Sequence, residues 1–301
     1  MNVFHSLVVH TLPLMPKALV GHLSRHYIAG PSLDDAVRAA REVIDEGCCV
    51  TMDVLGESVT RAEETRTFAR QYHEVLQRIA EEKLDANVSV KPTQMGLALD
   101  PALVRENYTS IVGRAAELGN FVRIDMEDTP WTTATLDLHD ELVARWPGHV
   151  GVVIQAYLRR TMSDTRERLI PGKANLRLCK GIYVEPESLA FKTRQDIRDS
   201  YLAILRELLS AGNYVGIATH DEWLVDGALE IVRELNLPRE AFEFQMLLGV
   251  LPDLRRRIVA RGHKLRVYVP FGEAWFAYST RRLKENPSLV NTFIVDMFRK
   301  H

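Results

Sequence analysis

The chain has 301 residues, of which 46% are hydrophobic and 26% are charged, and its formal net charge is -2. This length suits one large domain or two medium ones, and the near-balance of charge argues against a nucleic-acid binder, because phosphate neutralisation needs a basic surplus. The three cysteines, Cys48, Cys49 and Cys179, are too few for a disulfide framework and indicate a reducing compartment. The cysteine and histidine spacings of zinc sites are absent, so no metal is predicted.

The first residues, "MNVFHSLVVHTLPLMPKALVGHLSRHY", are apolar but do not read as a secretion signal. Their apolar run is interrupted by His5, His10, Pro13 and Pro16, and no basic region precedes it. No stretch of 18 apolar residues occurs, so a cytoplasmic protein is predicted. We expect residues 1–46 to form a helical segment packed on the main fold. Peripheral contact with the inner face of the membrane stays open as an alternative.

Helix signals recur along the chain. The segment "PSLDDAVRAAREVIDEG" carries a capping box in Ser32 and Asp35 and a stop signal in Gly47. The segment "DPALVRENYTSIVGRAAELG" begins with Asp100 as an N-cap and Pro101 at the first helical position. The segments "ESLAFKTRQDIRDSYLAILRELLSAG" and "DEWLVDGALEIVRELN" follow the same pattern, so amphipathic helices are predicted throughout.

Short apolar runs rich in β-branched residues separate these helices. They read, in order, "CCVTMDVLG", "NVSVKPTQMG", "FVRIDMED", "VGVVIQAY", "LRLCKGIY", "YVGIATHD", "FEFQML" and "LRVYVPFG". Such runs indicate parallel strands buried on both faces, and eight strand–helix units predict an α/β fold, a (β/α)8 TIM barrel over residues 47–301. A doubly wound open sheet is the alternative, but that fold typically has about five or six strands.

Polar residues end most of these runs, where the active sites of such barrels lie. Taken singly, each has an ordinary explanation: a lysine that reaches solvent, an aspartate that caps a helix, or a histidine satisfied in the core. Together they put polar groups at six of the eight strand ends, which predicts a ligand site. The residues are Lys91, Asp125, Gln155, Arg177, Lys180, Tyr183, Thr219, His220 and Tyr268.

Several common cofactor and catalytic motifs are missing. The patterns G-x-G-x-x-G, G-x-x-x-x-G-K-[ST] and G-x-S-x-G do not occur. Their absence argues against a Rossmann dinucleotide site, a P-loop nucleotide site and an α/β-hydrolase. A barrel can still bind a cofactor through backbone amides, lysines and arginines at its mouth.

The stretch "YSTRRLKE" follows the last predicted strand and starts a helix above the barrel mouth. On a helix, Tyr278, Arg281 and Arg282 share one face, and Glu285 is close enough to hold the two arginines in place. The arginines could simply balance Glu285 and the helix dipole. Two guanidiniums that converge with Lys91 would instead bind a substrate carboxylate through charge-assisted bonds.

Seven ordered motifs make the chain similar to proline dehydrogenases. They are "SVKPTQMG", "RIDMED", "VVIQAYL", "RLCKGIY", "ATHD", "FEFQML" and "YVPFGEAWFAYSTRRL", and the length resembles the monofunctional bacterial form. The resemblance implies a distorted, FAD-binding (β/α)8 barrel with extra N-terminal helices and a final helix over its mouth. It also implies oxidation of L-proline to Δ1-pyrroline-5-carboxylate, with hydride transfer from C5 to flavin N5 and electrons passed to a quinone.

The resemblance implies roles for individual residues. The proline carboxylate would be bound by Lys91, Arg281 and Arg282. The rest of the proline pocket would be formed by Asp125, Leu247, Tyr268 and Tyr278. FAD would be contacted by Gln155, Arg177, Lys180, Gly181, Tyr183, Thr219 and His220. Ile182 stands where the family motif has a smaller residue, and it therefore bears on the size of the pocket.

The resemblance also implies partners. They are L-proline, a quinone at the membrane and a separate pyrroline-5-carboxylate (glutamate semialdehyde) dehydrogenase.

Two other functions remain compatible with the residues. A Schiff-base aldolase would use Lys180 or Lys91 as its amine, with a pKa lowered by burial. A non-catalytic barrel would bind an amino acid or a folate-like ligand without chemistry.

Overall fold

Eight parallel strands close into a barrel in chain order, in a computed structural model that describes residues 27–56, 59–276 and 278–279. β1 pairs with β8 along its whole length, from Cys49 opposite Arg266 to Val54 opposite Phe271, which closes the ring. The predicted (β/α)8 barrel is therefore confirmed and the open sheet is excluded. The strands are β1 (Cys49–Val54), β2 (Ala86–Val90), β3 (Val122–Ile124), β4 (Val150–Gln155), β5 (Leu176–Cys179), β6 (Val215–Ala218), β7 (Phe242–Leu247) and β8 (Leu265–Phe271).

Helices alternate with the strands and cover the outside of the barrel. The capping box is present, because the Ser32 hydroxyl accepts from the Asp35 amide and the Asp35 carboxylate accepts from the Ser32 amide. Asp100 caps its helix by accepting from the Ala102 amide at 2.8 Å, with Pro101 at the first position. The helices are α1 (Leu33–Asp45), α2 (Ala62–Glu81), α3 (Pro101–Glu117), α4 (Thr129–Arg145), α5 (Thr161–Asp164), α6 (Arg194–Ser210), α7 (Glu222–Glu234) and α8 (Pro252–Ala260), with a π-helical turn at Thr165–Leu169 and a 3-10 turn at Arg239–Ala241.

The strands are buried on both faces, but their residues alternate in polarity. In β1, Val50 and Met52 belong to the apolar layer shared with the helices, whereas Thr51 and Asp53 are buried polar residues. A strand sends successive side chains to opposite faces, so the polar set lies inside the barrel. This interior set also includes Ser89, Arg123, Asp125, Arg177, Glu243, Gln245 and Arg266. The barrel therefore encloses a polar interior that leads to its mouth.

Both ends of the chain fall outside the described residues. After β8 the chain turns helical at 275–276 and 278–279, where a final helix was predicted, but Arg281, Arg282 and Glu285 lie outside the described residues. Residues 1–26 of the predicted N-terminal segment also lie outside them, so the described part of that segment is residues 27–46, which contain α1. None of the helices in the described ranges is long and apolar enough to cross a membrane.

Candidate active site at the barrel mouth

A cavity of about 260 Å³ opens at the carboxyl ends of the strands. Its wall combines apolar side chains, such as Val153 and Met246, with a floor of charged and hydroxyl groups. Eleven of the residues predicted for the site line this cavity: Lys91, Asp125, Gln155, Arg177, Lys180, Gly181, Tyr183, His220, Leu247, Tyr268 and Tyr278. Residues far apart in the sequence thus meet at one place because they lie at or just beyond the carboxyl ends of several strands of the ring.

Lys91 lies at the centre of the floor. Its ammonium nitrogen is 3.1 Å from both carboxylate oxygens of Asp53, 3.3 Å from Asp125 Oδ2 and 3.1 Å from the Tyr268 hydroxyl. Burial disfavours the charged form of Lys91, yet the carboxylates of Asp53 and Asp125 raise its pKa well above the usual value. The lysine is therefore held as a cation.

Asp125 joins the two cations of the floor. Its Oδ1 accepts from the Ser89 hydroxyl at 2.6 Å and from Arg177 at 2.8 Å, and its Oδ2 accepts from the Tyr268 hydroxyl at 3.2 Å. Burial would raise the pKa of Asp125, but the charges of Lys91 and Arg177 outweigh burial and lower it. Asp125 is thus held as an anion and is a weak proton acceptor.

A second buried ion pair lies deeper in the barrel and is linked to the first. The Arg177 Nε donates to Gln245 Oε1 at 2.5 Å, and the Gln245 amide donates to Glu243 at 2.7 Å. Glu243 is bound by Arg266 at 2.7 Å and 3.1 Å. The hydrogen-bonded chain therefore runs from the barrel bottom to the cavity, which fixes the orientation of the Arg177 guanidinium.

Tyr268 forms a fixed side of the cavity. Its hydroxyl lies between Lys91 and Asp125, and the Arg177 guanidinium carbon stands 5.4 Å from the centre of its ring. Burial raises the pKa of Tyr268 well above its usual value, so the phenol stays neutral. This arrangement restricts the ring to one orientation.

Thr219 and His220, which were predicted to contact the cofactor, both follow β6 but differ in whether they line the cavity. Thr219 does not line the cavity; its hydroxyl accepts a hydrogen bond from the Asp221 amide at 3.1 Å, next to the start of α7. Its direct contact with a cofactor stays a prediction. His220 lines the cavity, and its Nε2 accepts the Leu247 amide at 2.9 Å, which ties the end of β6 to the end of β7.

The sequence analysis did not identify three polar residues that form hydrogen bonds to Lys91 or Arg177. Asp53, Ser89 and Gln245 lie within strands rather than at their ends, where we searched. Asp53 is completely buried and Ser89 is equally inaccessible. A polar residue at every second position of an otherwise apolar run was the signal that could have identified them.

Lys180 stands at the outer edge of the cavity beside a buried carboxylate. Asp221 is paired with Arg198 at 2.6 Å, with Arg194 at 3.5 Å and with Lys180 at 3.6 Å. Three cations around one carboxylate leave an excess of positive charge next to the mouth. By the chemistry of its donors, the site can therefore hold a large ring system with polar edges and an anionic extension.

Gly181 cannot be replaced without displacing the loop after β5. Its φ is +103°, and a Cβ there would lie 2.1 Å from the ring of Tyr157. We expect Gly181→Ala to lower the free energy of unfolding in urea by about 1–3 kcal/mol. The matched control is Gly119→Ala, which also has a positive φ, +64°, but has no atom within 4 Å of the added Cβ. Equal losses for both variants would show that the contact with Tyr157 is unimportant.

Comparison with known proteins identifies one family. The family model described as proline dehydrogenase matches residues 36–293. Proline dehydrogenase 2 of Bacillus subtilis (strain 168) is 37% identical over 273 residues, covering 91% of this chain and 89% of that protein. Proline dehydrogenase of Deinococcus radiodurans is 33% identical over 270 residues, covering 88% of this chain and 87% of that protein.

A solved structure has the same barrel. Proline utilization A (PutA) from Bdellovibrio bacteriovorus, inactivated by N-propargylglycine, superposes with a TM-score of 0.81 and 26% sequence identity. The superposition covers 88% of this chain but 32% of the PutA chain, so the chain spans about a third of that protein's length. The similarity therefore concerns one part of a longer protein in that case.

Proposed function

Because the chain belongs to the proline dehydrogenase family, we propose that it oxidises L-proline to Δ1-pyrroline-5-carboxylate in the barrel-mouth cavity, with FAD as its cofactor. Proline dehydrogenation is the first step of proline catabolism. The observation that carries the proposal is the cavity itself, which is lined by Lys91, Arg177, Leu247, Tyr268 and Tyr278 together.

The carboxylate of proline binds the cations of the site. Lys91 supplies a charged ammonium on the floor of the cavity. Arg281 and Arg282 are proposed to supply two guanidiniums from above, by their match to the family motif. Several charge-assisted hydrogen bonds neutralise the carboxylate and also fix its position. The pyrrolidine ring is thereby oriented for reaction.

The ring of proline packs between Leu247, Tyr268 and Tyr278. Tyr268 is tightly held, since Lys91, Asp125 and Arg177 all contact it. A side chain with one orientation limits the positions that a small ring can occupy, so Tyr268 contributes to the choice of substrate.

The ring nitrogen must lose its proton before hydride leaves C5, because a cationic amine cannot readily become an iminium. Lys91 is held protonated, and Asp125 is held ionised between two cations, so neither is a good proton acceptor. We therefore assign this proton to water at the open side of the cavity.

The residues at the mouth fit FAD by their chemistry. Bound FAD supplies the two-electron acceptor for the hydride that leaves C5. It would be held by Gln155, Arg177, Lys180, Gly181, Tyr183, Thr219 and His220. The fixed positive charge of Arg177 would stabilise the negative charge that FAD gains on reduction.

The remaining parts of the proposal concern partners. A quinone accepts the electrons, which requires peripheral contact of a cytoplasmic protein with the inner face of the membrane. A separate pyrroline-5-carboxylate dehydrogenase consumes the product. Residues 1–46 are proposed to pack as a helical segment on the barrel formed by residues 47–301.

A Schiff-base aldolase is less compatible with the floor of the site. An amine nucleophile needs a lowered pKa, whereas the two carboxylates beside Lys91 raise its pKa. Lys91 is therefore a poor nucleophile, and Lys180 is the remaining candidate for that reaction.

The proposed function is tested by turnover. Purified protein loaded with FAD is incubated with L-proline and a soluble quinone, and the cyclic imine is trapped with o-aminobenzaldehyde. We expect product in proportion to quinone reduced, and none with D-proline. No product together with borohydride trapping of a carbonyl compound on Lys180 would contradict the proposal and support the aldolase.

A further inference from the structure

The Lys91 ammonium has more acceptors around it than it has protons. Four oxygen atoms lie 3.1–3.3 Å from its nitrogen: two of Asp53, one of Asp125 and the Tyr268 hydroxyl oxygen. A lysine ammonium has three N–H donors. A substrate carboxylate can therefore bind Lys91 only if one of the present contacts is given up.

The two carboxylates differ in what would remain if Lys91 left them. Asp125 would keep Arg177 at 2.8 Å, Ser89 at 2.6 Å and the Tyr268 hydroxyl at 3.2 Å. It is also the more distant of the two from Lys91, at 3.3 Å. Asp125 can thus be released by Lys91 without losing all its charge compensation.

Asp53 has no second cationic partner among the described residues to compensate its charge if Lys91 left it. Its side chain is completely buried, and in the described part of the chain Lys91 is the one cation that pairs with it. Its other side-chain partner is the neutral hydroxyl of Tyr72 at 3.2 Å. An ionised carboxylate left without a cation in such a place is strongly destabilising, so the Asp53–Lys91 pair persists when other contacts change.

We propose that Asp53 is the positioning residue of Lys91: it holds the ammonium at the cavity floor while Lys91 exchanges Asp125 for the substrate carboxylate. The proposal rests on the proposed function, because it concerns the binding of proline. Asp53 does not line the cavity and acts through Lys91, which does. Without the Asp53 charge, Lys91 would keep Asp125 as its sole carboxylate and would not release it.

A double-mutant cycle tests this assignment with four proteins: wild type, Asp53→Asn, Lys91→Met and the double variant. We expect Asp53→Asn to raise the KM for L-proline roughly 10–100-fold, the effect of losing one hydrogen bond to a charged group, with little change in kcat. We expect Lys91→Met to raise KM as well. In the Lys91→Met background, Asp53→Asn should change KM less than about twofold, because the residue through which it acts is gone.

Thermal unfolding without added cofactor gives a second, independent result. Lys91→Met leaves Asp53 buried and unpaired, so its Tm should fall, and adding Asp53→Asn should restore much of the loss. The double variant contains no unpaired charge at this pair, so it can be compared with Lys91→Met even where Asp53→Asn alone does not fold. Asp137→Asn, a surface carboxylate paired with Arg168, is the control that should change neither KM nor Tm appreciably.

The outcomes separate the two proposals. If Lys91→Met raises KM but Asp53→Asn does not, the positioning role is wrong and the proposed function stands. Additive effects of the two substitutions on KM would also overturn the positioning role. If Lys91→Met leaves KM unchanged, the assignment of Lys91 to the substrate carboxylate fails, whatever Asp53 does.

Discussion

Arg177→Met is expected to lower kcat for proline oxidation roughly 10²–10³-fold, the usual effect of removing one preorganised donor from a reacting centre. Arg177 lines the cavity, and three hydrogen bonds fix its guanidinium, to Gln245, Ser89 and Asp125. The substitution removes a fixed positive charge beside the position at which the proposed FAD would accept electrons. Steady-state kinetics with L-proline and a soluble quinone measure the effect.

Two controls distinguish chemistry from folding. Arg105→Met removes an exposed arginine that pairs with Glu141, so it should leave kcat unchanged. Far-ultraviolet circular dichroism should show the same helix content in both variants. A folded Arg177→Met protein with kcat within about threefold of wild type would contradict the role assigned to this charge.

Arg266→Met is expected to destabilise the fold by about 3–5 kcal/mol, because it removes the buried cation that binds Glu243 inside the barrel and leaves the more distant Lys264, at 3.6 Å, as its partner. Glu243 is accessible over only 3% of its side chain, and Arg266 binds both its oxygens. Urea unfolding at neutral pH measures the loss. Adding Glu243→Gln should recover most of it, whereas Arg206→Met, which breaks an exposed pair with Glu234, should cost less than about 1 kcal/mol.

The same ion pair predicts how stability depends on pH. Burial would raise the pKa of Glu243, but the charge and hydrogen bonds of Arg266 lower it from 4.5 to about 2. A carboxyl group with a lowered pKa stabilises the folded state above its unfolded pKa, and that stabilisation disappears as pH falls through the folded value. Unfolding experiments between pH 5 and about pH 2 should therefore show a loss of about 3 kcal/mol from this residue. Glu243→Gln should remove that part of the pH dependence, and an unchanged acid profile would contradict the assignment.

The sequence predicted the fold well because the determinants are local. Each strand is a short apolar run, and caps such as Ser32 with Asp35 lie within a few residues of the helix they start. Strand order then follows from the chain order, since β–α–β units place consecutive strands side by side. The strand ends also predicted eight residues of the cavity, because a closed parallel barrel brings all its carboxyl ends to one face.

The supporting contacts of the site could not be predicted in the same way. Asp53 contacts Lys91 across 38 positions of sequence, and Tyr268 contacts Asp125 across 143. Such contacts depend on strand register and on which face each side chain takes, and neither is visible in a single apolar run. The Gln245 bridge between Arg177 and Glu243 is another example, because it needs both strands in their final register.

The most direct test is the visible absorption spectrum of the purified protein before and after anaerobic addition of L-proline. Proline bound beside FAD in the barrel mouth predicts a flavin band that is bleached by L-proline and restored by a quinone. A protein that binds no flavin, or a flavin band that L-proline leaves unchanged, would contradict proline oxidation at this cavity.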